Sequence, residues 1–357
     1  MRVDVEKVTV PPGTSLREVM AAIDRSGHGI ALVAGADRRL AGTVTDGDVR
    51  RAMLDGLDLD APVEEILGRQ QRRESFPTPL TAPASASPDE LLHMMSEYDV
   101  RHIPRVDAEG RLVDLAVLEE MVKDYEAPMR AVVMAGGYGL RLRPFTDDVP
   151  KPMLPVGDRP LLEHIVAQLR EAGIRRVNVT THYRGEEIAR HFGDGADFGV
   201  DINYTDEEEP LGTAGALALL ERSDEPLLVM NGDILTDVDF RAMLRYHREH
   251  DAEMTVAARS YEVEVPYGIV ESEGVRVTAI AEKPSVRYFV NAGIYLLEPN
   301  LCRYVPRGER HDMPDLVNRL VAEGHRVVTF PVVEYWLDIG APGDYEQAQR
   351  DARAGRP

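Results

Sequence analysis

The chain has 357 residues, 43% of them hydrophobic, which is enough for two domains and a sizeable buried core. Its formal net charge of −21 argues against a protein that binds DNA or RNA through the phosphates, because that mode of binding requires a basic face. The single cysteine, Cys302, excludes an internal disulfide framework and a cysteine-based metal cluster.

The apolar runs of the sequence are short. None approaches the roughly 20 residues that a helix needs to cross a bilayer, and the first ten residues, MRVDVEKVTV, have no apolar stretch of signal-peptide length. We therefore expect a cytoplasmic protein that binds neither membrane nor nucleic acid. The acidic charge does not exclude small phosphorylated ligands, because a local cluster of cations and a metal ion can bind them within an otherwise acidic protein.

Residues 1–126 contain an internal duplication. The first copy reads TSLREVMAAIDRSGHGIALVAGADRRLAGTVTDGDVRRAM, and the second reads ASPDELLHMMSEYDVRHIPRVDAEGRLVDLAVLEEMV. Each copy predicts a helix, a strand, a turn, a second strand and a second helix. A polar, proline-rich connection, GRQQRRESFPTPLTAPASASP, separates them. The pattern predicts a small α+β domain built from two similar modules.

This duplication, with GTVTDGD as its sharpest motif, resembles a tandem pair of CBS modules, which sense adenosine nucleotides. The resemblance implies that Thr45 and Asp48 flank the phosphate and ribose of an adenine nucleotide, and an aspartate can accept both ribose hydroxyls. Asp48 is also expected to cap the helix that follows it. The second copy has Val117 and Glu120 at the matching places, which argues against a second nucleotide site. A module that only packs or dimerises is the alternative.

Residues 127–357 alternate between strands and helices. The predicted strands are AVVMA, RVNVT, VDINYT and PLLVMNGD, and the predicted helices are RPLLEHIVAQLREAG, EEIARHF and TAGALALLE. Such alternation predicts an α/β fold with a mostly parallel sheet and helices on both faces. Ligands of these folds bind beyond the carboxyl ends of the strands.

The stretch VVMAGGYGLRLRPFTDDVPKPMLPV follows the first of these strands. Gly136, Gly137 and Gly139 let the backbone approach a ligand and point amide groups at an anion. Arg141 can clamp a phosphate bidentately, and Lys151 is stiffened by a proline on each side. The stretch is not the dinucleotide fingerprint G-x-G-x-x-G, because the last glycine of that motif is missing. It is not a P-loop either, because a P-loop needs Gly-Lys-Ser/Thr.

This motif, residues 136–152, resembles the signature of sugar-1-phosphate nucleotidylyltransferases. The resemblance continues to the end of the chain and implies a Rossmann-like, GT-A-like fold that joins an NTP and a sugar 1-phosphate into an NDP-sugar and pyrophosphate. It assigns catalytic roles to Arg141, Lys151 and Lys283. The stretches PLGTAGAL and NAGIY look most like the mannose-1-phosphate guanylyltransferase branch, so GTP is the expected nucleotide. Other nucleobases and other sugars stay open.

Two aspartates are the expected metal ligands. Asp233 ends the strand LVMNGDIL, and Asp338 lies in YWLDIG after a second apolar stretch. Magnesium commonly takes one or two protein carboxylates, with waters and substrate phosphates completing its shell. The resemblance carries both residues over as ligands of Mg²⁺, the expected cofactor.

The resemblance also implies contacts with the rest of the two substrates. The assigned residues are Gly212 and Thr213 beside the nucleobase, Glu282 and Lys283 at the sugar and its phosphate, and Asn291 and Gly268 in the sugar pocket. Thr213 could equally be a plain helix N-cap. The acidic run at residues 206–209 is expected to be a solvated loop, and the histidines show no ligand spacing.

The implied reaction needs no general base, because a sugar 1-phosphate is already ionised at neutral pH. Its difficulty is the repulsion between anions, so catalysis is expected from positioning and charge neutralisation. Two other functions stay open: a cytidylyltransferase that acts on a non-sugar phosphate or phosphonate, and a non-catalytic nucleotide sensor. A homo-oligomer is expected, because paired sensory modules often associate.

Overall fold

The structure, a computed structural model, describes residues 3–70, 79–98, 100–121, 126–221 and 223–355. The chain divides into two compact units, residues 1–126 and residues 127–357. None of the helices in the described parts combines the length and the apolar character that crossing a bilayer requires.

The first unit repeats one topology twice. In each half a short strand pairs in parallel with a central strand, and the central strand pairs antiparallel with a third. The elements of the first half are α1 (Val5–Val8), β1 (Thr9–Val10), α2 (Leu16–Ser26), β2 (Ile30–Ala34), β3 (Leu40–Thr45), α3 (Asp46–Leu54) and α4 (Glu64–Gln70). Those of the second are β4 (Ala82–Pro83), α5 (Pro88–Glu97), β5 (His102–Val106), β6 (Leu112–Val117) and α6 (Leu118–Met121). Residues 71–78 of the predicted connection lie outside the described residues.

Both halves start their first long helix with the same capping box. Ser15 precedes α2, and its hydroxyl accepts the amide N–H of Glu18 at 3.3 Å. Ser87 and Glu90 repeat this arrangement at α5 with the same distance. In both boxes the glutamate carboxylate accepts the serine amide in return, so two exposed N–H groups of each helix start are satisfied.

The second unit is built on a seven-stranded sheet in the order β11-β10-β7-β12-β17-β14-β18. Its strands are β7 (Arg130–Met134), β8 (Pro155–Val156), β9 (Arg159–Pro160), β10 (Arg176–Thr181), β11 (Asp201–Asp206), β12 (Leu227–Asn231), β13 (Ile234–Thr236), β14 (Met254–Glu264), β15 (Ile269–Glu273), β16 (Arg276–Ala281), β17 (Ser285–Leu297), β18 (Val327–Val332) and β19 (Trp336–Asp338). Its α-helices are α7 (Leu161–Glu171), α8 (Gly185–Phe192), α9 (Gly212–Gly215), α10 (Phe240–Glu249), α11 (Met313–Ala322) and α12 (Pro342–Arg353). Its 3₁₀ turns are Leu140–Leu142, Lys151–Met153, Ala196–Phe198, Ala216–Ala218 and Pro299–Tyr304.

The sheet is mostly parallel, because β17 alone among its seven strands runs against its neighbours. The prediction of a mostly parallel α/β sheet is thus confirmed. Val132 of β7 and Val229 of β12 are buried in a core that also holds Leu316 of α11. Cys302 is packed against the same core.

The predicted helix TAGALALLE is wrong in its length. It forms one α-helical turn, α9, followed by a 3₁₀ turn at Ala216–Ala218. The amide groups of Ala214 and Gly215 donate to the carbonyl of His311, at 2.9 and 3.1 Å. A distant segment therefore satisfies the helix start, which a local pattern cannot show.

Strands β14 and β17 continue together beyond the rest of the sheet. The pairing of β18 with β14 ends at Arg259, and β12 pairs with β17 only from Ile294 onward. The outer part of β14 and β17 is a two-stranded ribbon, and β15 and β16 form a hairpin between them. Residues 260–290 are called the arm below.

Candidate active site

A cavity of about 410 Å³ opens at the carboxyl ends of β7 and β12, where an α/β sheet normally binds its ligand. Its lining residues are Met134, Ala135, Gly137, Tyr138, Gly139, Leu140, Arg141, Leu142, Lys151, Pro152, Gly232, Asp233 and Gly340. Five of the predicted site residues therefore share one cavity.

The glycine loop holds its shape through one threonine. Gly139 has φ +64°, a left-handed conformation that suits glycine, and a Cβ there would lie 2.9 Å from the methyl carbon of Thr146. The hydroxyl of Thr146 donates to the carbonyl of Gly139 at 2.8 Å. Any larger residue at position 139 would push this threonine out of place.

The two predicted metal ligands are brought together by a three-residue ladder. Strand β13 pairs antiparallel with β19, so that Ile234 lies opposite Asp338, and the amide of Ile339 donates to the carbonyl of Asp233 at 3.0 Å. Among the described residues, Oδ1 of Asp233 and Oδ1 of Asp338 are both buried without a hydrogen-bond partner. Buried carboxylate oxygens without donors are costly unless a cation neutralises them.

The groups around Asp338 act on the pKa of its carboxyl in opposite directions. Burial raises the pKa of the Asp338 carboxyl above its usual value, and the negative charge of Asp233 raises it further. The positive charges of Lys151 and Arg141 act in the opposite direction. Two cations and two carboxylates thus form one electrostatic cluster.

This cluster fits Mg²⁺, which prefers hard oxygen ligands. Asp233 and Asp338 each offer one unpaired carboxylate oxygen. Within the described ranges no group of three or more His, Cys, Asp or Glu side chains is arranged to hold a metal. Water and substrate phosphates would therefore complete the shell of an ion at this pair.

The two cations are held in different ways. Lys151, whose side chain is 11% exposed, donates a short hydrogen bond to Oδ2 of Asp233. The guanidinium of Arg141 lies against the backbone of Gly340, where a Cβ would come within 3.4 Å of Nη2. Both side chains line the cavity, and Lys151 is anchored there by an acid.

A second group of contacts, which the sequence did not predict, joins the ends of β7, β10 and β11. The hydroxyl of Tyr138 lies 2.8 Å from Nε2 of His182, and Nδ1 of His182 lies 2.6 Å from the carbonyl of Glu207. In a neutral imidazole Nδ1 therefore carries the proton, because a carbonyl can only accept, and Nε2 accepts from the tyrosine. The carboxylate of Glu207 accepts the amide of Leu211 at 2.9 Å.

Glu207 corrects the expectation that residues 206–209 form a solvated loop. Its side chain is buried, whereas Asp206, Glu208 and Glu209 are exposed. Sequence spacing gave no signal for Glu207 or His182, because their contacts join separate strand ends.

Comparison with known proteins decides the family. Residues 130–355 match the family model described as Nucleotidyl transferase, and residues 2–55 and 74–125 match the CBS domain model. The chain belongs to the nucleotidyl transferase family. The first unit of this transferase carries the CBS pair predicted from its duplication.

Similar proteins include several sugar-phosphate transferases. The chain is 35% identical over 226 residues to a mannose-1-phosphate guanylyltransferase catalytic subunit beta of Danio rerio, covering 61% of this chain and 62% of that protein. It is 34% identical over 234 residues to a mannose-1-phosphate guanylyltransferase of Mycobacterium tuberculosis, covering 63% and 65%. It is 34% identical over 247 residues to a UTP–glucose-1-phosphate uridylyltransferase of Synechocystis, covering 62% and 63%. The transferase thus spans less than two thirds of the length of these relatives.

A solved structure is also similar. It is a Bacillus anthracis protein described as a glucose-1-phosphate thymidylyltransferase, in complex with a sucrose. The TM-score is 0.53 at 26% sequence identity, and the match covers 63% of this transferase and 95% of that chain.

Gly212 and Thr213, predicted to lie beside the nucleobase, do not line the cavity. Thr213 donates its amide to Oδ1 of Asp312 at 2.9 Å, and its hydroxyl accepts the amide of Met313 at 2.8 Å. A Cβ on Gly212 would lie 2.6 Å from the same Asp312 oxygen. The backbone amide of Thr213 is the largest cause that lowers the pKa of Asp312, and Arg310 adds to it. Asp312 thus holds this segment of the transferase.

The residues predicted for the sugar phosphate also lie outside the cavity lining. Gly268 packs beside Glu282, where a Cβ would approach Oε2 to 3.0 Å. Lys283 is exposed and has φ +45°, an uncommon conformation for a residue with a side chain. Asn291 donates to the hydroxyl of Tyr295 at 2.5 Å. The structure gathers Gly268, Glu282 and Lys283 on the arm, and none of the three lines the cavity that Arg141 lines.

In the CBS pair, Asp48 is fully occupied by local contacts. Its Oδ2 accepts the backbone amide and the hydroxyl of Thr45, at 3.0 and 2.7 Å, and the side-chain amide of Gln70 at 2.9 Å. Its Oδ1 accepts from Arg51 at 2.6 Å. Thr45 and Asp48 therefore form the capping box of α3.

Proposed function

We propose that this transferase moves a nucleotidyl group from an NTP to a sugar 1-phosphate and releases pyrophosphate. One observation carries the proposal: a single cavity holds the glycine loop, Arg141, Lys151 and Asp233, with Asp338 next to Asp233 across the β13–β19 ladder. The family match and the sugar-phosphate transferases among the relatives support it.

The chain's own residues account for most of the chemistry. The sugar phosphate attacks as an anion, so the protein has to gather like charges and hold them in line rather than remove a proton. The amides around Gly137 and Gly139, together with Arg141, would bind the phosphates that leave as pyrophosphate. Lys151, already fixed by Asp233, would bind the nucleotide phosphates without a further loss of side-chain freedom.

Asp233 and Asp338 would hold Mg²⁺, which when bound supplies neutralisation of phosphate charge. The unpaired Oδ1 atoms of both residues support this assignment. Burial, and after it the negative charge of Asp233, raises the pKa of Asp338, so the two carboxylates repel each other without a cation.

The acceptor would bind towards the arm. Lys283 would form an ion pair with the phosphate of the sugar. Glu282 and Asn291 would form hydrogen bonds with the sugar hydroxyls. Gly268 would leave room beside Glu282. The separation of Lys283 from the cavity lining implies that the arm moves inward when both substrates are bound. Substrate closure of this kind is common in transferases.

GTP is the proposed nucleotide, and the backbone of Gly212 and Thr213 would lie against the base. Guanylyltransferases from Danio rerio and Mycobacterium tuberculosis among the relatives support GTP, whereas the Synechocystis relative is named for UTP. A panel of four NTPs against mannose, glucose and heptose 1-phosphates and phosphocholine, read by pyrophosphate release with and without Mg²⁺, tests the choice. Turnover with phosphocholine alone would favour the non-sugar alternative, and NTP binding without any turnover would favour a sensor.

The CBS pair would bind an adenine nucleotide beside Thr45 and Asp48 and report it to the transferase unit. The CBS match supports this. Because Asp48 is engaged by Gln70 and Arg51, the ribose would have to displace at least one of these contacts. Calorimetry of AMP with the full chain tests it, and an Asp48→Asn variant that binds AMP as well as the wild type would count against the assignment.

A further inference from the structure

We propose that His182 is a positioning residue for the nucleotide and that it acts through Tyr138 on the glycine loop. The inference rests on the proposed function, in which the loop amides bind the phosphates of an NTP. Tyr138 lies between Gly137 and Gly139 and lines the cavity, whereas His182 is not one of the described residues that line it. His182 would therefore act on a ligand through another residue.

The glycine loop is fastened at two neighbouring residues. The hydroxyl of Thr146 donates to the carbonyl of Gly139 at 2.8 Å. The hydroxyl of Tyr138 lies 2.8 Å from Nε2 of His182. Before these two points the backbone is open, since a Cβ on Gly137 would meet no atom within 4 Å. The contact with His182 is thus the attachment closest to the open part of the loop.

The ring of Tyr138 is supported as well as its hydroxyl. The rings of Tyr138 and His182 meet edge to face, with centroids 5.4 Å apart and planes at 87°, an arrangement that aromatic pairs favour. The ring of Tyr183 lies 5.5 Å away on a tilted plane. Because Tyr138 is 44% exposed, these contacts rather than burial fix its side chain.

His182 is itself held in place. Its Nδ1 lies 2.6 Å from the carbonyl of Glu207, so the neutral ring presents Nε2 to Tyr138 as an acceptor. Its backbone packs against the start of the glycine loop, because a Cβ on Gly136 would lie 3.4 Å from the amide nitrogen of His182. A fixed acceptor can set the position of the loop residue that donates to it.

The loop that carries His182 has a defined shape. Arg184 has φ +53°, an uncommon conformation for a residue with a side chain. Its guanidinium donates to the carbonyl of Asp148 and to the carboxylate of Glu187. Asp148 belongs to the segment that leads into Lys151. One loop after β10 therefore contacts both stretches of chain that carry the proposed phosphate ligands.

Such a contact favours binding more than chemistry. A glycine-rich backbone loses much conformational freedom when it is ordered, and a loop that is already fixed in its binding conformation loses less when phosphate binds. We expect the loss of this one hydrogen bond to weaken phosphate binding by about 5-fold. The rate with both substrates bound should change little, because the contact orders the loop before they bind.

Three variants of the full chain separate the two hydrogen bonds of His182. Tyr138→Phe removes the hydroxyl that donates to Nε2. The short amide of His182→Asn can still donate to the carbonyl of Glu207 but does not reach Tyr138, whereas the longer side chain of His182→Gln has an oxygen that can accept from Tyr138. The matched control is Tyr183→Phe, which removes a hydroxyl from the neighbouring ring.

Calorimetry with inorganic tripolyphosphate and Mg²⁺ measures phosphate binding without a nucleobase. Tyr138→Phe and His182→Asn should each raise the Kd of tripolyphosphate about 5-fold, and the double variant should raise it no further, because both changes remove the same contact. His182→Gln and Tyr183→Phe should stay within about twofold of the wild type.

Initial rates show whether the effect is on binding. With Mg²⁺, a sugar 1-phosphate and the NTP that is turned over fastest, Tyr138→Phe should raise the KM for the NTP about 5-fold and leave kcat and the KM for the sugar phosphate within about twofold. A lower kcat with an unchanged KM for the NTP would overturn the inference.

The binding experiment can also contradict the inference. A Kd of tripolyphosphate that is unchanged in both Tyr138→Phe and His182→Asn would overturn it, and so would a wild type that binds no tripolyphosphate. An equal loss in His182→Gln would show that the contact with Glu207 matters instead. In each case a wild type that still forms an NDP-sugar leaves the proposed function standing, whereas a wild type that turns over no pair of substrates would overturn that function as well.

Discussion

The ammonium group of Lys151 donates a hydrogen bond to Oδ2 of Asp233, 82 residues further along the chain. The lysine is presented by a 3₁₀ turn between two prolines, and the aspartate follows β12. The contact leaves Oδ1 of Asp233 without a partner among the described residues, and Oδ1 of Asp338 is equally unpaired there. Under the proposed function, one carboxylate therefore serves both the lysine that would bind phosphate and the metal ion.

Asp233→Asn should lower turnover on the order of 10²-fold, because it removes charge from the proposed metal pair while keeping the shape. Pyrophosphate release at increasing Mg²⁺ concentration measures the effect, and the Mg²⁺ concentration for half-maximal rate should rise. Glu346→Gln is the matched control, since Glu346 is an exposed acid on α12. Near-normal turnover in Asp233→Asn would refute the metal assignment.

Lys151→Met should lower the free energy of unfolding by on the order of 2 kcal/mol in EDTA, because it removes the counter-charge hydrogen-bonded to Asp233 and leaves Arg141 as the one cation of the cluster. The Lys151→Met/Asp233→Asn double variant should recover most of this loss. Urea unfolding followed by the fluorescence of Trp336, the sole tryptophan, measures both. If the double variant lost as much free energy of unfolding as the two single variants together, the pair would not be coupled.

Asp312→Ala should raise the KM for the NTP about 10-fold and change kcat less, because Asp312 holds the amide of Thr213 where the base is proposed to bind. Asp312→Asn keeps an acceptor oxygen and should be milder. Initial rates at varied NTP, with sugar phosphate saturating, separate the two constants. A fall in kcat with an unchanged KM would remove Asp312 from the nucleotide side.

Acidification should destabilise the second unit through His247. Burial lowers the pKa of this histidine, with an opposing, smaller effect of Glu298, and its Nδ1 lies 2.8 Å from the hydroxyl of Thr255. The unfolded chain therefore binds a proton at this histidine more readily than the native fold does. The stability that is present above the ordinary histidine pKa of about 6.5 is lost as the pH falls below that value.

Urea unfolding at several pH values between about 5 and 8 checks this. His247→Gln should flatten the dependence on pH, whereas His93→Gln, which alters an exposed histidine, should not. Identical pH profiles in the wild type and His247→Gln would contradict the account.

The glycine loop could be predicted from the sequence because its chemistry is local. Gly139, Arg141 and Lys151 lie within 13 positions, and flexible backbone, fixed charge and flanking prolines all act on that short stretch. The mostly parallel sheet was predictable for a similar reason, since each strand carries its own apolar run.

The pairing of Asp233 with Asp338 could be named only through a family resemblance. It rests on β13 and β19, which have three residues each, too few for any periodic pattern. Glu207 and His182 were missed because their contacts join loops after different strands. The exposed apolar side chains of the arm could not be predicted either. Apolar and polar residues alternate in the same way along a strand whose apolar face is covered and along one whose apolar face is exposed.

The central claim is transfer at the α-phosphorus, and the fate of a label at that phosphorus tests it most directly. The full chain should be incubated with Mg²⁺, a sugar 1-phosphate and each NTP labelled at the α-phosphate, GTP first. We predict that the label appears in an NDP-sugar, with one unlabelled pyrophosphate released for each molecule formed. Label found only in free nucleotide, or no product with any pair of substrates, would contradict the account.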